Sequence, residues 1–388
     1  MIDLPYGRQS IDDSDIEAVT RVLRSDFLTS GPEIEAFETE FANAVDAPFA
    51  VACNSATAAL HLALDGLDLG PGDVCIVPAV TFLATANAAL YCGAEVIFAD
   101  VDADTGLMTP DTLAEALSRA GPAARAVLPV HLAGAMCDMK ALSKAAREAG
   151  LAVVEDSCHA LGSMDGQGRP AGACDHSDAS TFSFHPVKTL ACGEGGMVTT
   201  RSARLADHMR RARSHGVERS PDHFQRREGV AEPWWYEMVQ LGWNYRMPDI
   251  NAALGRSQLA RLPVFAARRR ALAARYESAL SGLAPLVRTP AHAPGDPCRH
   301  LYNVRIDFQA AGVTRADVMA HLKADGIGTQ VHYIPLYRQP FHAPRHTAGP
   351  LPGAEAHYER TLSLPLWPGM ADEDPARVAQ ALERALTL

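Results

Sequence analysis

The chain has no pair of cysteines at C-x-x-C spacing. Its eight cysteines are Cys53, Cys75, Cys92, Cys137, Cys158, Cys174, Cys192 and Cys298, and they offer no zinc or iron–sulfur framework. Several sit in apolar runs, Val51 to Cys53 and Val74 to Ile76 among them, and read as small buried hydrophobes with reduced thiols. Basic residues are in deficit. With 35 Lys and Arg against 46 Asp and Glu, the net charge is −11, which argues against a general nucleic-acid or anionic-membrane binder. No apolar run is long enough for a membrane span. Residues Met1 to Tyr6 lack the charged-then-apolar pattern of a secretory signal, so a cytoplasmic protein is expected. There is no internal repeat and no G-x-S-x-G elbow. No G-x-G-x-x-G follows the first strand, and no Lys-Ser/Thr follows the turn Gly193 to Gly196 as a phosphate loop requires. His332, His342, His346 and His357 match no zinc spacing, so no metal is expected.

What is present reads as an α/β protein. The 388 residues are 47% hydrophobic and 21% charged, enough for one large domain and a smaller partner. Amphipathic helices are expected over Ile11 to Arg24, with a start signal at Ser10 and Asp13, and over Glu33 to Val45. From residue 49 short apolar strands alternate with helices as far as Glu155. That alternation predicts a mainly parallel sheet covered on both faces. Residues 214–240 read as a long excursion. Ile250 to Arg275 is helical and broken at Pro263. A strand (Leu301 to Phe308), a helix (Arg315 to Ala324), a strand (Gly328 to Val331) and a helix (Asp374 to Leu386) follow. The expected division is a large domain over 1–254, with an N-terminal arm, and a small α+β domain over 255–388.

Three strand ends carry chemistry. Lys188 follows the strand Ala179 to Phe184 and precedes the glycine turn. Taken alone, a surface lysine in a glycine turn is the commoner reading. A lysine held there in its neutral form could attack a carbonyl and form a Schiff base. Asn54 to Thr57 open a helix after a strand, which suits either an anion site or a plain N-cap. Asp156 ends a buried strand, three residues before His159. In an open α/β sheet the ligand crevice lies beyond such strand ends, although an Asp there also serves as a turn cap. Ser183 could bind a phosphate or its own backbone.

Together these segments resemble the DegT/DnrJ/EryC1/StrS family of sugar aminotransferases. The carrying motifs are Asn54 to His61, Glu155 to Gly162, Phe182 to Lys188, Gly193 to Gly196, Leu241 to Met247 and Val331 to Tyr333. Within the family the resemblance is strongest to aminotransferases of the pseudaminic acid pathway, through Pro5 to Asp12, Phe27 to Pro32, Cys174 to Asp178 and Gln330 to Tyr333. It implies the aspartate-aminotransferase fold (fold type I) and pyridoxal 5′-phosphate as cofactor. It also implies transfer of an amino group from L-glutamate to C4 of a UDP-linked 4-keto-6-deoxy-N-acetyl-hexosamine. By the same resemblance Lys188 would hold the cofactor, Asp156 its ring nitrogen and His159 its ring oxygen. Ala56, Thr57 and Ser183 would bind the phosphate, and Phe82 would stack on the ring. Asn244 would reach the phosphate of a second subunit, making a homodimer. Tyr6, Thr29, His332 and Tyr333 are candidates for substrate contacts. A dTDP-linked keto-deoxyhexose is the alternative substrate, and a non-catalytic, cofactor-binding regulator the alternative function. The excursion from Glu218 to Pro233 and the run Leu190 to Cys192 depart from the family pattern.

Overall fold

In a computed structural model, residues 2–226, 232–291 and 294–387 are described. Two amphipathic helices open the chain, α1 (Asp13–Leu23) and α2 (Pro32–Ala44). The start of α1 differs from the expected Ser10 signal. Asp12 caps it, in a reciprocal box with Asp15, because an ionised side chain there answers the free first-turn amides. The alternating region then runs β1 (Phe49–Cys53), α3 (Ala56–Gly66), β2 (Val74–Pro78), α4 (Leu83–Tyr91), β3 (Glu95–Ala99), α5 (Pro110–Ala120), β4 (Ala124–Val127), α6 (Met139–Glu148), β5 (Ala152–Asp156), β6 (Ala179–Ser183), β7 (Gly196–Thr200) and α7 (Ala203–Ala212).

These seven strands form one sheet in the order β1-β7-β6-β5-β4-β2-β3. Only β7 runs antiparallel to its neighbours; the other pairs are parallel. Side chains alternate between faces, and both faces are buried. Val51, Cys53 and Val198 join the core beneath α3 to α7. Ala50, Ala52, Phe182 and Met197 join a second core against α2. Leu190 and Cys192 also belong to that second core, with Phe37, Phe41 and Phe184. This is the physical reason for apolar residues so soon after Lys188: the loop tucks back under the sheet.

Beyond α7, residues 214–240 form a short ribbon of β8 (Val217–Glu218) and β9 (Glu237–Met238). Part of the excursion, residues 227–231, lies outside the described residues. Helices α8 (Asp249–Ala260) and α9 (Leu262–Leu280) follow; the break falls at Arg261, not at Pro263, because a proline is tolerated in the first turn of α9, where no amide partner is needed. The carboxylate of Asp249 accepts from the amides of Gly31 (2.9 Å) and Glu33 (3.1 Å), so the first residue of α8 caps α2.

The remainder is β10 (Val287–Arg288), β11 (Tyr302–Ile306), α10 (Phe308–Ala311), α11 (Arg315–Ala324), α12 (Pro352–Arg360), β12 (Thr361–Leu364) and α13 (Asp374–Leu386). β10, β11 and β12 make an antiparallel sheet. Its core draws on α9 from Leu272 onward, on α11 and α13, and on Leu4 of the N-terminal arm. The expected strand Gly328 to Val331 is not one. Its backbone bonds are split between two partners, Gly328 N–H to Leu4 and Gln330 to Ser363, so no continuous ladder forms. β12 was not legible, being four residues long and buried throughout. No described helix is long and apolar enough to cross a membrane.

The register sets one edge of the large sheet. Cys53 and Ser183 both lie opposite Gly196, and Thr181 lies opposite Asp156. The carboxyl ends of β1, β5 and β6 therefore meet beside the first residue of β7. A Cβ on Gly196 would sit 2.3 Å from the Ser55 carbonyl oxygen and 2.7 Å from the Ala56 nitrogen. Only glycine lets β7 pass the start of α3 this closely. Gly196→Ala is expected to cost about 1–3 kcal/mol of unfolding free energy, measured by denaturant titration.

Candidate active site

At that edge is a cleft of about 580 Å³. Tyr6, Ala56, Thr57, Phe82, Asp156, His159, Ser183, Lys188, His332 and Tyr333 all line it. The sequence placed these ten residues across more than 300 positions, and the fold brings them to one wall or another of a single space. Thr29 and Asn244 do not line it. Both are exposed, and the Thr29–Pro248 bridge keeps the two segments together on the outside.

Lys188 comes from the loop between β6 and β7. Burial pushes its ammonium pKa down, and the charges of Cys158 and Asp156 oppose this only in part. The neutral amine is thereby favoured, as a nucleophile needs. Asp156 is the last residue of β5 and 5% exposed. Its Oδ2 accepts from Thr85 Oγ1 (2.7 Å) and its Oδ1 from the Cys158 amide (3.2 Å).

Helix α3 begins opposite. Ser55 caps it by accepting from the Ala58 amide. The first-turn N–H groups of Ala56 and Thr57 have no intrahelical acceptor, and both residues face the cleft. Ser183 ends β6 in the same wall, its Oγ accepting weakly from the His185 amide (3.4 Å). An 11-residue helix with free first-turn amides and a nearby hydroxyl is an anion cradle.

His159 is fixed from behind. The amide of Ala133 donates to its Nδ1 (3.3 Å), which leaves the imidazole proton on Nε2, 3.3 Å from the Tyr333 hydroxyl. Ala133 is a non-glycine residue at φ 57°, a conformation that costs energy and clusters at functional sites. Its carbonyl also accepts from the His300 amide (3.1 Å), so one strained turn positions two cleft histidines. Burial, and then the Lys188 charge, push the pKa of His159 well down and that of His332 to about 3. The same two causes hold His300 well below its ordinary value. All three imidazoles are neutral at pH 7. His332 is held through Nδ1 by Ser363 Oγ (2.8 Å).

Tyr6 arrives by a different route. The amides of Asp3 and Leu4 donate to the Gly326 carbonyl, and the Leu366 amide donates to that of Tyr6. The N-terminal arm is thus pinned across the small sheet. Phe82 caps α4, is 56% exposed and meets Tyr333 at 6.2 Å. Several lining residues were not among the sequence's candidates, Cys158, Glu194, His300 and Gln330 among them. Position alone could have found Cys158, between Asp156 and His159, and Gln330, beside His332. His300 carried no local signal.

The cleft therefore offers a buried carboxylate, a buried lysine, an exposed aromatic face and an anion cradle. A flat ring bearing a basic nitrogen, a carbonyl and a phosphate matches that set. A family model for DegT/DnrJ/EryC1/StrS aminotransferases matches residues 9–383. The spore coat polysaccharide biosynthesis protein SpsC of Bacillus subtilis (strain 168) is 40% identical over 382 residues, 98% of this chain and 96% of that protein. Two solved structures are similar throughout. S. venezuelae DesV, in complex with a ketimine intermediate, is 37% identical with a TM-score of 0.84, covering 96% of this chain and 94% of that one. Helicobacter pylori PseC, an aminotransferase involved in the biosynthesis of pseudoaminic acid, is 28% identical with a TM-score of 0.89, covering 99% of each. The architecture is that of fold-type I aminotransferases, and the cofactor is pyridoxal phosphate, which the residues of the cleft fit. The chain is a pyridoxal-phosphate-dependent sugar aminotransferase and belongs to the DegT/DnrJ/EryC1/StrS aminotransferase family.

Proposed function

We propose that this aminotransferase moves the amino group of L-glutamate to C4 of a UDP-linked 4-keto-6-deoxy-N-acetyl-hexosamine, in nucleotide-sugar biosynthesis of the pseudaminic acid type. The observation that carries the transaminase chemistry is that Lys188, buried so that its ammonium pKa is pushed down, and the Asp156 carboxylate line one cleft. Likeness to PseC over nearly the whole chain supports the choice of sugar.

Bound in the cleft, pyridoxal phosphate supplies an electron sink for the bonds at the donor's α-carbon. The protein supplies the rest. Asp156 accepts a hydrogen bond from the ring nitrogen and holds its proton there. The amides of Ala56 and Thr57 and the hydroxyl of Ser183 bind the phosphate. His159 would donate from Nε2 to the ring oxygen, and Phe82 would pack on the ring. Lys188 Nζ would anchor the cofactor and would be the base and acid that moves the donor's α-proton. Donor and keto-sugar use the cleft in turn, a ping-pong cycle. Tyr6, His332 and Tyr333 line the side open to substrate. Asn244, exposed and outside the cleft of its own chain, serves the phosphate of a second copy, and Thr29, also exposed, is a substrate contact there. The functional unit in this reading is a cytoplasmic homodimer.

Purified enzyme is expected to absorb in the visible range, and borohydride to abolish the band. Lys188→Ala should lose both the band and turnover while keeping its circular dichroism. Retained turnover would place the anchoring lysine elsewhere. Ser183→Ala removes one hydrogen bond to a charged group and should weaken cofactor binding roughly ten-fold or more, read by equilibrium dialysis. Turnover of UDP- and dTDP-linked 4-keto sugars with glutamate, measured side by side with NMR identification of the product, tests the sugar. Preference for the dTDP compound would sink the UDP assignment and leave the transaminase chemistry standing.

A further inference from the structure

Thr81, Thr85 and Asp156 form a buried chain from the cleft wall to the carboxylate. Thr85 Oγ1 donates to Asp156 Oδ2 at 2.7 Å, and Thr81 Oγ1 lies 2.8 Å from Thr85 Oγ1. A hydroxyl has a single proton to give. Thr85 spends its proton on the carboxylate, so the proton between the two threonines comes from Thr81. The chain therefore has one direction, Thr81 to Thr85 to Asp156. Thr81 is 1% exposed, Thr85 0% and Asp156 5%. In such a dry setting successive hydrogen bonds polarise one another, and an unpaired partner is costly.

The same residues are placed by regular structure. Phe82 caps α4, which makes Thr85 the third residue of that helix and puts the carboxylate beside its positive end. Thr81 lies two residues before α4 begins, so its hydroxyl reaches Thr85 from the segment that enters the helix. The second carboxylate oxygen accepts from the Cys158 amide at 3.2 Å. Two donors, one on each oxygen, fix the plane of the carboxyl group.

We propose that Thr85, held by Thr81, is a positioning residue for the cofactor. It locks the Asp156 carboxylate in the plane that presents a lone pair to the ring nitrogen. Its donated proton also limits how strongly that carboxylate accepts from the ring. The role is independent of which nucleotide sugar is the substrate.

The test uses holoenzyme loaded with pyridoxal phosphate carrying ¹⁵N in the ring. Thr85→Val, Thr85→Ser and Thr81→Val are compared with the natural protein by the ¹⁵N resonance of the ring and by the cofactor dissociation constant. Thr85→Val is expected to displace the resonance and weaken binding roughly ten-fold. Thr85→Ser, which keeps the hydroxyl, should restore both. Thr81→Val should give a smaller displacement of the resonance. An unmoved resonance in Thr85→Val would overturn the proposal. So would a Ser variant as displaced as the Val variant, since the methyl group and not the hydroxyl would then be responsible. If Thr85→Val does not fold, Thr81→Val decides, because it leaves Thr85 and Asp156 in place. A displaced resonance there supports the chain, and an unmoved one refutes it.

Discussion

A lysine buried where its ammonium form is disfavoured is the constraint on which the site depends. Burial pushes the Lys188 pKa down, and the Asp156 carboxylate pulls it back only in part. The three neighbouring imidazoles follow from this. His159, His300 and His332 are buried and feel the Lys188 charge, so each resists taking a proton. The cleft thus sets three neutral imidazoles around Lys188 and the Asp156 carboxylate, with Glu194 also on its lining.

Backbone geometry holds the groups of the site in position. Gly196 permits β7 to pass the start of α3, which brings the free amides of Ala56 and Thr57 next to the end of β6. The loop that carries Lys188 is anchored after the lysine by Leu190 and Cys192, packed under the sheet among phenylalanines. Asn251 Nδ2 adds a bond to the Cys192 carbonyl at 2.7 Å. On the opposite side, Ala133 spends backbone strain to present one amide to His159 and one carbonyl to His300. The chemistry rests on few side chains, each fixed from behind by main chain.

The cleft also joins two separately packed bodies. Lys188, Asp156 and Ala56 belong to the large sheet, whereas His332 is tied through Ser363 to the small one. Tyr6 comes with the N-terminal arm, whose Leu4 lies in the core of the small sheet. Any movement of the small sheet on the large one would carry Tyr6, His332 and Tyr333 relative to Lys188.

The sequence by itself determined the alternating strands and helices, because short apolar runs between turn signals admit little else. The helix Arg315 to Ala324 and the strand Glu95 to Ala99 agree to the residue. It also determined the cofactor-facing set, since Lys188, Asp156, Ser183 and Thr57 each sit at a recognisable strand end or helix start. What it could not supply were relations between distant segments. The cap on α1 moved to Asp12 because a carboxylate answers first-turn amides better than Ser10 could from further out. Gly328 to Val331 stayed irregular because two partners compete for its backbone. His300, the turn at Ala133 and the Thr81–Thr85 chain had no local pattern to reveal them. Their roles come from groups more than twenty residues away along the chain, or from a hydroxyl direction that only packing against Asp156 defines.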